Sequence, residues 1–128
     1  MVCVPAATVL AVARVMADVV GLPGNVRAAL GDFLSRLIAR FGTRLEETRL
    51  FGSYARGDYT IDSDVDVLVV IRDLSERERR EVFETGYEVY LDRAVDVSPL
   101  AMSATEWRDR KARELLLAAD IEREGIAL

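Results

Sequence analysis

Apolar residues recur along the chain with two different periods, and each change of period separates a helix from a strand. Val9, Val12, Met16 and Val19 lie on one stripe of a helix predicted over residues 5–20, which the GLPG run stops. The other faces of that helix are also rather apolar. From Asn25 onward, Val26, Leu30, Phe33, Leu37 and Phe41 repeat at helical spacing, with Asn25 as the N-cap and Gly42 as the stop. Residues 48–51 then read as a short strand, GSYARGDYTIDS as turns, and DVDVLVVI as a strand on its β-branched content. Ser75 with Glu78 forms a capping-box pair, which opens a helix over residues 76–90 that buries Val82, Phe83, Tyr87 and Tyr90. Its charged start, RDLSERERRE, reads as a solvated face. A third strand is expected over residues 93–98. Ser103 with Glu106 repeats the capping pattern and opens one last helix, which carries Trp107, Leu115, Leu116 and Ile121 and ends at Gly125. Trp107 and the tyrosines at helical spacing are expected in the core. Interleaved strands and helices predict an α+β fold, a small mixed β-sheet flanked by helices.

Composition narrows the chemistry. With 128 residues, 51% of them hydrophobic, the chain supports one globular core and needs neither disulfide nor structural metal. Histidine is absent, so any general base must be a carboxylate, and every mechanism that requires an imidazole is excluded. The single cysteine, Cys3, fits a reducing compartment, and the expected location is cytoplasmic. The apolar N-terminal stretch is interrupted by Arg14 and Asp18 and reads as neither a membrane span nor a signal peptide. A net charge of −5 disfavours a long nucleic acid as partner. Lys111 is the only lysine, so phosphate contacts fall to arginine or to backbone N–H groups.

Candidate chemistry gathers in the middle of the chain. Side chains alternate across a strand, so Asp64 and Asp66 share one face while Val65, Val67, Val69 and Ile71 take the other. Two carboxylates about 7 Å or less apart repel unless a cation joins them, and oxygen-only ligands select Mg²⁺ or Mn²⁺. Asp96, between Val95 and Val97, joins them if the strands pair in suitable register; three carboxylates can hold two metals about 3.5–4 Å apart, as in-line phosphoryl displacement requires. Gly52 and Ser53 begin a turn after a strand, where exposed N–H groups and a hydroxyl can cradle phosphate, and Arg56 supplies positive charge. Blander roles compete with these. The aspartates could be a solvated strand face, Ser53 a turn cap and Arg56 the partner of Asp58 or Asp62. Asp92 and Asp73 are the weaker rivals of Asp96. A P-loop is excluded because Asp58 stands where that motif needs lysine, and a calcium-binding EF-hand because Val67 and Asp73 replace its glycine and glutamate.

At these residues the chain resembles a known family. LFGSYARGDYTIDSDVDVLVV is similar to the signature of the polymerase-beta-type nucleotidyltransferases, in particular the minimal nucleotidyltransferase branch: G-S, ten residues, then D-x-D on a strand. Asp96 in AVDVSPL is similar to that family's third carboxylate, and the ending IEREGIAL to its usual C-terminus. The resemblance covers residues 49–128 and the preceding helix. It implies a palm-like nucleotidyltransferase domain over residues 23–128, with residues 1–22 as an extra N-terminal helix that packs on its own domain or makes a homo-oligomer or partner contact. It further implies two Mg²⁺ ions on Asp64, Asp66 and Asp96, a nucleoside triphosphate such as ATP on Gly52, Ser53 and Arg56, and Asp96 as the group that activates an acceptor hydroxyl. It also implies a setting, the antitoxin of a pair whose toxin is a HEPN-type ribonuclease. A binding module acting by contact alone and an aminoglycoside-type small-molecule transferase are the alternatives.

Overall fold

The computed structural model describes Met16, residues 19–113 and residues 115–128. The helix expected over residues 5–20 therefore lies, apart from Met16, Val19 and Val20, outside the described residues. Helix α1 is Gly24–Phe41, and the five apolar residues of its stripe are all buried. It starts one residue ahead of Asn25, with Pro23 rather than Asn25 in the N-cap position and no side-chain cap; the fixed φ of proline suits a helix entry. Gly42 ends it as predicted, at φ 55°, and a single 3₁₀ turn follows at Gly42–Arg44.

Strand β1, Leu45–Phe51, begins earlier than residue 48, because Glu46 and Glu47 hide the alternation and its register shifts between Leu45 and Glu47. A four-residue helix, α2 (Ser53–Arg56), interrupts the turn region before β2, Val65–Ile71. Helix α3, Glu76–Arg93, carries the predicted capping box: Ser75 Oγ accepts from the Glu78 N–H at 3.1 Å and Glu78 accepts from the Ser75 N–H at 3.0 Å. Strand β3 is Val97–Ser103, and a second capping box at Ser103 and Glu106 opens α4, Ala104–Ala112. Helix α5 is Leu116–Glu124, and β4 is Ile126–Ala127.

Three further expectations are corrected. The third strand does not occupy residues 93–98, because α3 runs on to Arg93 and closes at Ala94 with φ 55°. The last helix is two helices, because Leu115 is extended at φ −64° and ψ 139°; no glycine or proline marks the break, so helical spacing reads straight through it. Leu115 and Leu116 are exposed. On α3, Val82 is buried as expected, but Phe83, Tyr87 and Tyr90 are 67%, 59% and 46% exposed, and Gly86 and Val89 take the inward stripe instead. The small side is preferred because helix and strand approach closely: a Cβ on Gly86 would lie 2.9 Å from the Val97 carbonyl oxygen.

The sheet order is β3-β2-β1-β4, with β1 antiparallel to both β2 and β4, and β2 parallel to β3. Val65, Val67, Val69 and Ile71 pack with α1 and α3, while Leu68 and Val70 pack with Met102, Trp107, Ala118 and Ile121. Strand β2 is thus covered on both faces, which is why its sequence is almost continuously apolar. Full burial of each such side chain contributes about 1.5–3 kcal/mol. Ion pairs lace α1 to α3: Arg36 meets Asp32, Glu88 and Asp92, and Arg93 meets Asp32. Among the described residues, no helix is long and apolar enough to cross a membrane.

Candidate functional site

Strand β1 ends at the edge of the sheet where β2 and β3 begin, so turn residues and strand-entry residues meet there. Phe51 pairs with Asp66, which brings Gly52 and Ser53 out of the sheet beside the Asp66 side chain. Val65 pairs with Val97 in the parallel ladder, so Asp64 and Asp96, one residue earlier on each chain segment, stand side by side. The Val65 N–H donates to the Asp96 carbonyl at 2.8 Å. Asp96 therefore sits just ahead of β3, not within a strand. Asp92 is held by Arg36 at 2.6 Å in the α1–α3 network, and the carbonyl of Asp73 accepts from Arg44; neither stands at this edge.

Gly52 is tied to Asp66 sterically. Its backbone, at φ 74° and ψ −156°, lies in a region that only glycine adopts readily. A Cβ there would stand 2.2 Å from Asp66 Oδ2. The turn after it is closed by backbone bonds, with Ala55 and Arg56 N–H groups donating to the Gly52 carbonyl and Gly57 and Asp58 to that of Ser53. Tyr54 and Tyr59 stack with ring centroids 4.4 Å apart, bracing the same segment.

Electrostatically the edge carries an excess of negative charge. Burial, then the Asp64 charge, raise the Asp66 pKa above the usual carboxylate range; Asp96 adds to this and Arg56 opposes it. Burial also raises the Asp96 pKa, followed by the Asp64 charge and a hydrogen bond with Asp64. Like charges placed this way favour a bound proton or a bound cation. The three carboxylates are neighbours but do not close on one point: among the described residues, no group of three acidic, histidine or cysteine side chains is gathered tightly enough to hold an ion. The donor set nonetheless suits a hard divalent cation, being all oxygen, and Gly52 leaves open the space against Asp66 Oδ2 that a Cβ would fill.

A cavity of about 320 Å³ opens beside Asp66, lined by Phe51, Gly52, Ser53, Arg56 and Asp66 on one side and by Leu117, Asp120, Ile121 and Glu124 on the other. Four of the six residues singled out from the sequence share it; Asp64 and Asp96 are not among its walls. Arg56 pairs with Asp58 at 3.2 Å and with Glu124 at 3.5 Å, and not with Asp62. Of these α5 residues the sequence singles out only Ile121, as an apolar helix position; Leu117, Asp120 and Glu124 share its helical face, and that spacing is the signal for them. A larger cavity of about 520 Å³ lies between α3 and β3, beside Phe83 and Leu100, but lacks converging aspartates or a glycine turn.

The sequence model for the Nucleotidyltransferase domain matches residues 32–123. Two relatives from Methanocaldococcus jannaschii carry the name Putative protein adenylyltransferase. One, MJ0604, is 46% identical over 46 residues, 36% of this chain and 46% of that protein. The other, MJ0141, is 35% identical over 63 residues, 48% of this chain and 64% of that protein. The chain thus spans about half the length of these relatives. Two solved toxin–antitoxin structures share the fold at 22% identity. The one with AMP-PNP has a TM-score of 0.53 over 74% of this chain and 68% of its own. A mutant of the toxin–antitoxin MntA-HpeT has a TM-score of 0.50 over 84% of this chain and 72% of its own.

Proposed function

Because the chain belongs to the Nucleotidyltransferase domain family, we propose that it transfers a nucleoside monophosphate, AMP from ATP, to an acceptor hydroxyl. Residues 23–128 are the transferring domain. The acceptor oxygen attacks the α-phosphorus, the bond from that phosphorus to the bridging oxygen breaks, and pyrophosphate leaves. Asp64, Asp66 and Asp96 would hold two Mg²⁺ ions through their carboxylate oxygens, and the charge of the bound ions would offset that of the triphosphate. Asp96 also accepts the proton of the attacking hydroxyl. Gly52 and Ser53 hold the triphosphate through backbone N–H groups and the hydroxyl, and Arg56 adds charge to the same grip. Catalysis of this kind is mostly positioning and charge stabilisation.

The observation that carries the reading is the strand register, Val65 with Val97 and Phe51 with Asp66, which gathers the acidic residues and the glycine-serine turn at one sheet edge. The acceptor is a hydroxyl on a partner protein, a HEPN-type toxin whose antitoxin this chain is; support comes from the toxin–antitoxin neighbours and from the relatives named as protein adenylyltransferases. Incubation with Mg²⁺, each triphosphate in turn and cell lysate, followed by mass spectrometry, tests this: a protein gains one nucleoside monophosphate. A drug-sized adduct instead marks a small-molecule transferase. A second reading, neutralisation by contact alone, is favoured by the exposed Phe83, Tyr87, Tyr90 and Leu91 on α3. Capture of a toxin with no adduct would select it.

A further inference from the structure

The cavity beside Asp66 has two unlike walls. One is the phosphate-facing turn and β2; the other is a single face of α5, with Leu117, Asp120, Ile121 and Glu124 at positions i, i+3, i+4 and i+7. Two carboxylates on that face repel a triphosphate, so the α5 wall is unsuited to the phosphate chain. Carboxylates instead accept hydrogen bonds from hydroxyl and amino groups. Leu117, half exposed, adds an apolar surface of the kind on which a planar heteroaromatic ring packs.

The two carboxylates are not equivalent. Glu124 reaches Arg56 and Arg123, each at 3.5 Å, so it braces the phosphate-side arginine. Asp120 accepts from Arg123 through Oδ1 at 2.7 Å, which anchors the carboxylate from its own helix; among the described residues Oδ2 accepts no hydrogen bond. The wall is also fixed relative to the turn. Immediately after α5, β4 pairs Ile126 with Leu50 and Ala127 with Arg49, on the same strand that leads into Gly52.

We propose that α5 is the nucleoside-reading wall of this site. Leu117 packs on the base, and Asp120 accepts a hydrogen bond from a donor of the nucleoside, either a ribose hydroxyl or an exocyclic amine. This rests on the nucleotidyltransferase reading above and assigns to α5 the selection of which triphosphate enters.

Calorimetric titration of the whole chain in Mg²⁺ tests it, with ATP, 2′-deoxy-ATP, 3′-deoxy-ATP, inosine triphosphate and inorganic tripolyphosphate as probes. Asp120→Ala weakens ATP binding by about tenfold, the usual order for losing a hydrogen bond to a charged group, and leaves tripolyphosphate unchanged. Leu117→Ala weakens ATP without altering tripolyphosphate. The analogue that lacks the donor read by Asp120 binds the wild type more weakly by a similar factor and loses nothing further in Asp120→Ala, which separates ribose from amine. If the wild type binds ATP but both variants bind it equally well, or lose tripolyphosphate in parallel, the α5 assignment is overturned while the nucleotide reading stands. If the wild type binds neither ATP nor tripolyphosphate, the nucleotide reading itself fails.

Discussion

Replacing Gly52 by alanine separates the stability of the turn from the function of Asp66. The backbone at φ 74° and ψ −156° is one that an L-residue adopts at a cost of about 1–3 kcal/mol. For a domain of this size that lowers the melting temperature by roughly 5–10 °C. The Cβ stands 2.2 Å from Asp66 Oδ2, which is the mobile end of a side chain. Rotation of the carboxylate relieves the overlap cheaply, so the clash adds little to the stability loss, but it moves an oxygen proposed to bind metal. A misplacement of about 1 Å in such a group costs on the order of a hundredfold in rate. Gly57→Ala is the matched control: its φ of 85° and ψ of 8° also strain an alanine, by about 1–2 kcal/mol, but a Cβ there meets nothing within 4 Å. Differential scanning fluorimetry should show both variants destabilised. Mg²⁺-dependent ATP binding and transfer should collapse in Gly52→Ala only. Equal activity in the two variants would refute the claim that Gly52 is glycine for the sake of Asp66.

Asp66→Asn removes a partly buried charge that Asp64 repels, so it raises the melting temperature measured in EDTA and abolishes the further rise on adding Mg²⁺ and ATP; an unchanged Mg²⁺ response would count against Asp66 as a ligand. Glu78 has its pKa drawn down to about 2, first by hydrogen bonds from Arg44 and then by the Ser75 N–H. A carboxyl whose folded value lies below the unfolded one stabilises fully above pH 4.5, and that contribution is lost as the pH falls toward 2. Acid titrations of Glu78→Gln should therefore show a shallower loss of stability than the wild type across that window. Gly86→Ala sets a Cβ 2.9 Å from the Val97 carbonyl and 3.2 Å from Pro99 Cδ; overpacking of about 1–3 kcal/mol outweighs the helix-propensity gain of about 1 kcal/mol, and the urea midpoint falls.

Much of the fold is written locally. The capping boxes at Ser75 and Ser103 need only residues three apart, and both form. The alternation of DVDVLVVI separates the aspartate face from the valine face without reference to any other strand. What lay beyond reach was set by tertiary packing. Phe83, Tyr87 and Tyr90 read as core because they are aromatic and helically spaced, yet α3 lies so near β3 that Gly86 must face inward, and the larger side chains turn outward. Helical spacing puts Asp120 and Glu124 on one face, but the break at Leu115 carries no glycine or proline, so nothing local shows that this face returns over the Gly52 turn. Strand β4, two residues long and paired with β1, gives too short an alternation to detect.

The central claim is that Asp64, Asp66 and Asp96 act together to bind a metal-bound triphosphate at the strand edge. Calorimetric titration of ATP into the wild type and into Asp64→Asn, Asp66→Asn and Asp96→Asn, each with Mg²⁺ and with EDTA, addresses it most directly. The account predicts binding by the wild type in Mg²⁺ alone, with each variant losing the Mg²⁺-dependent component. Binding that survives EDTA, or that persists at full strength in any one of the three variants with Mg²⁺, would contradict it.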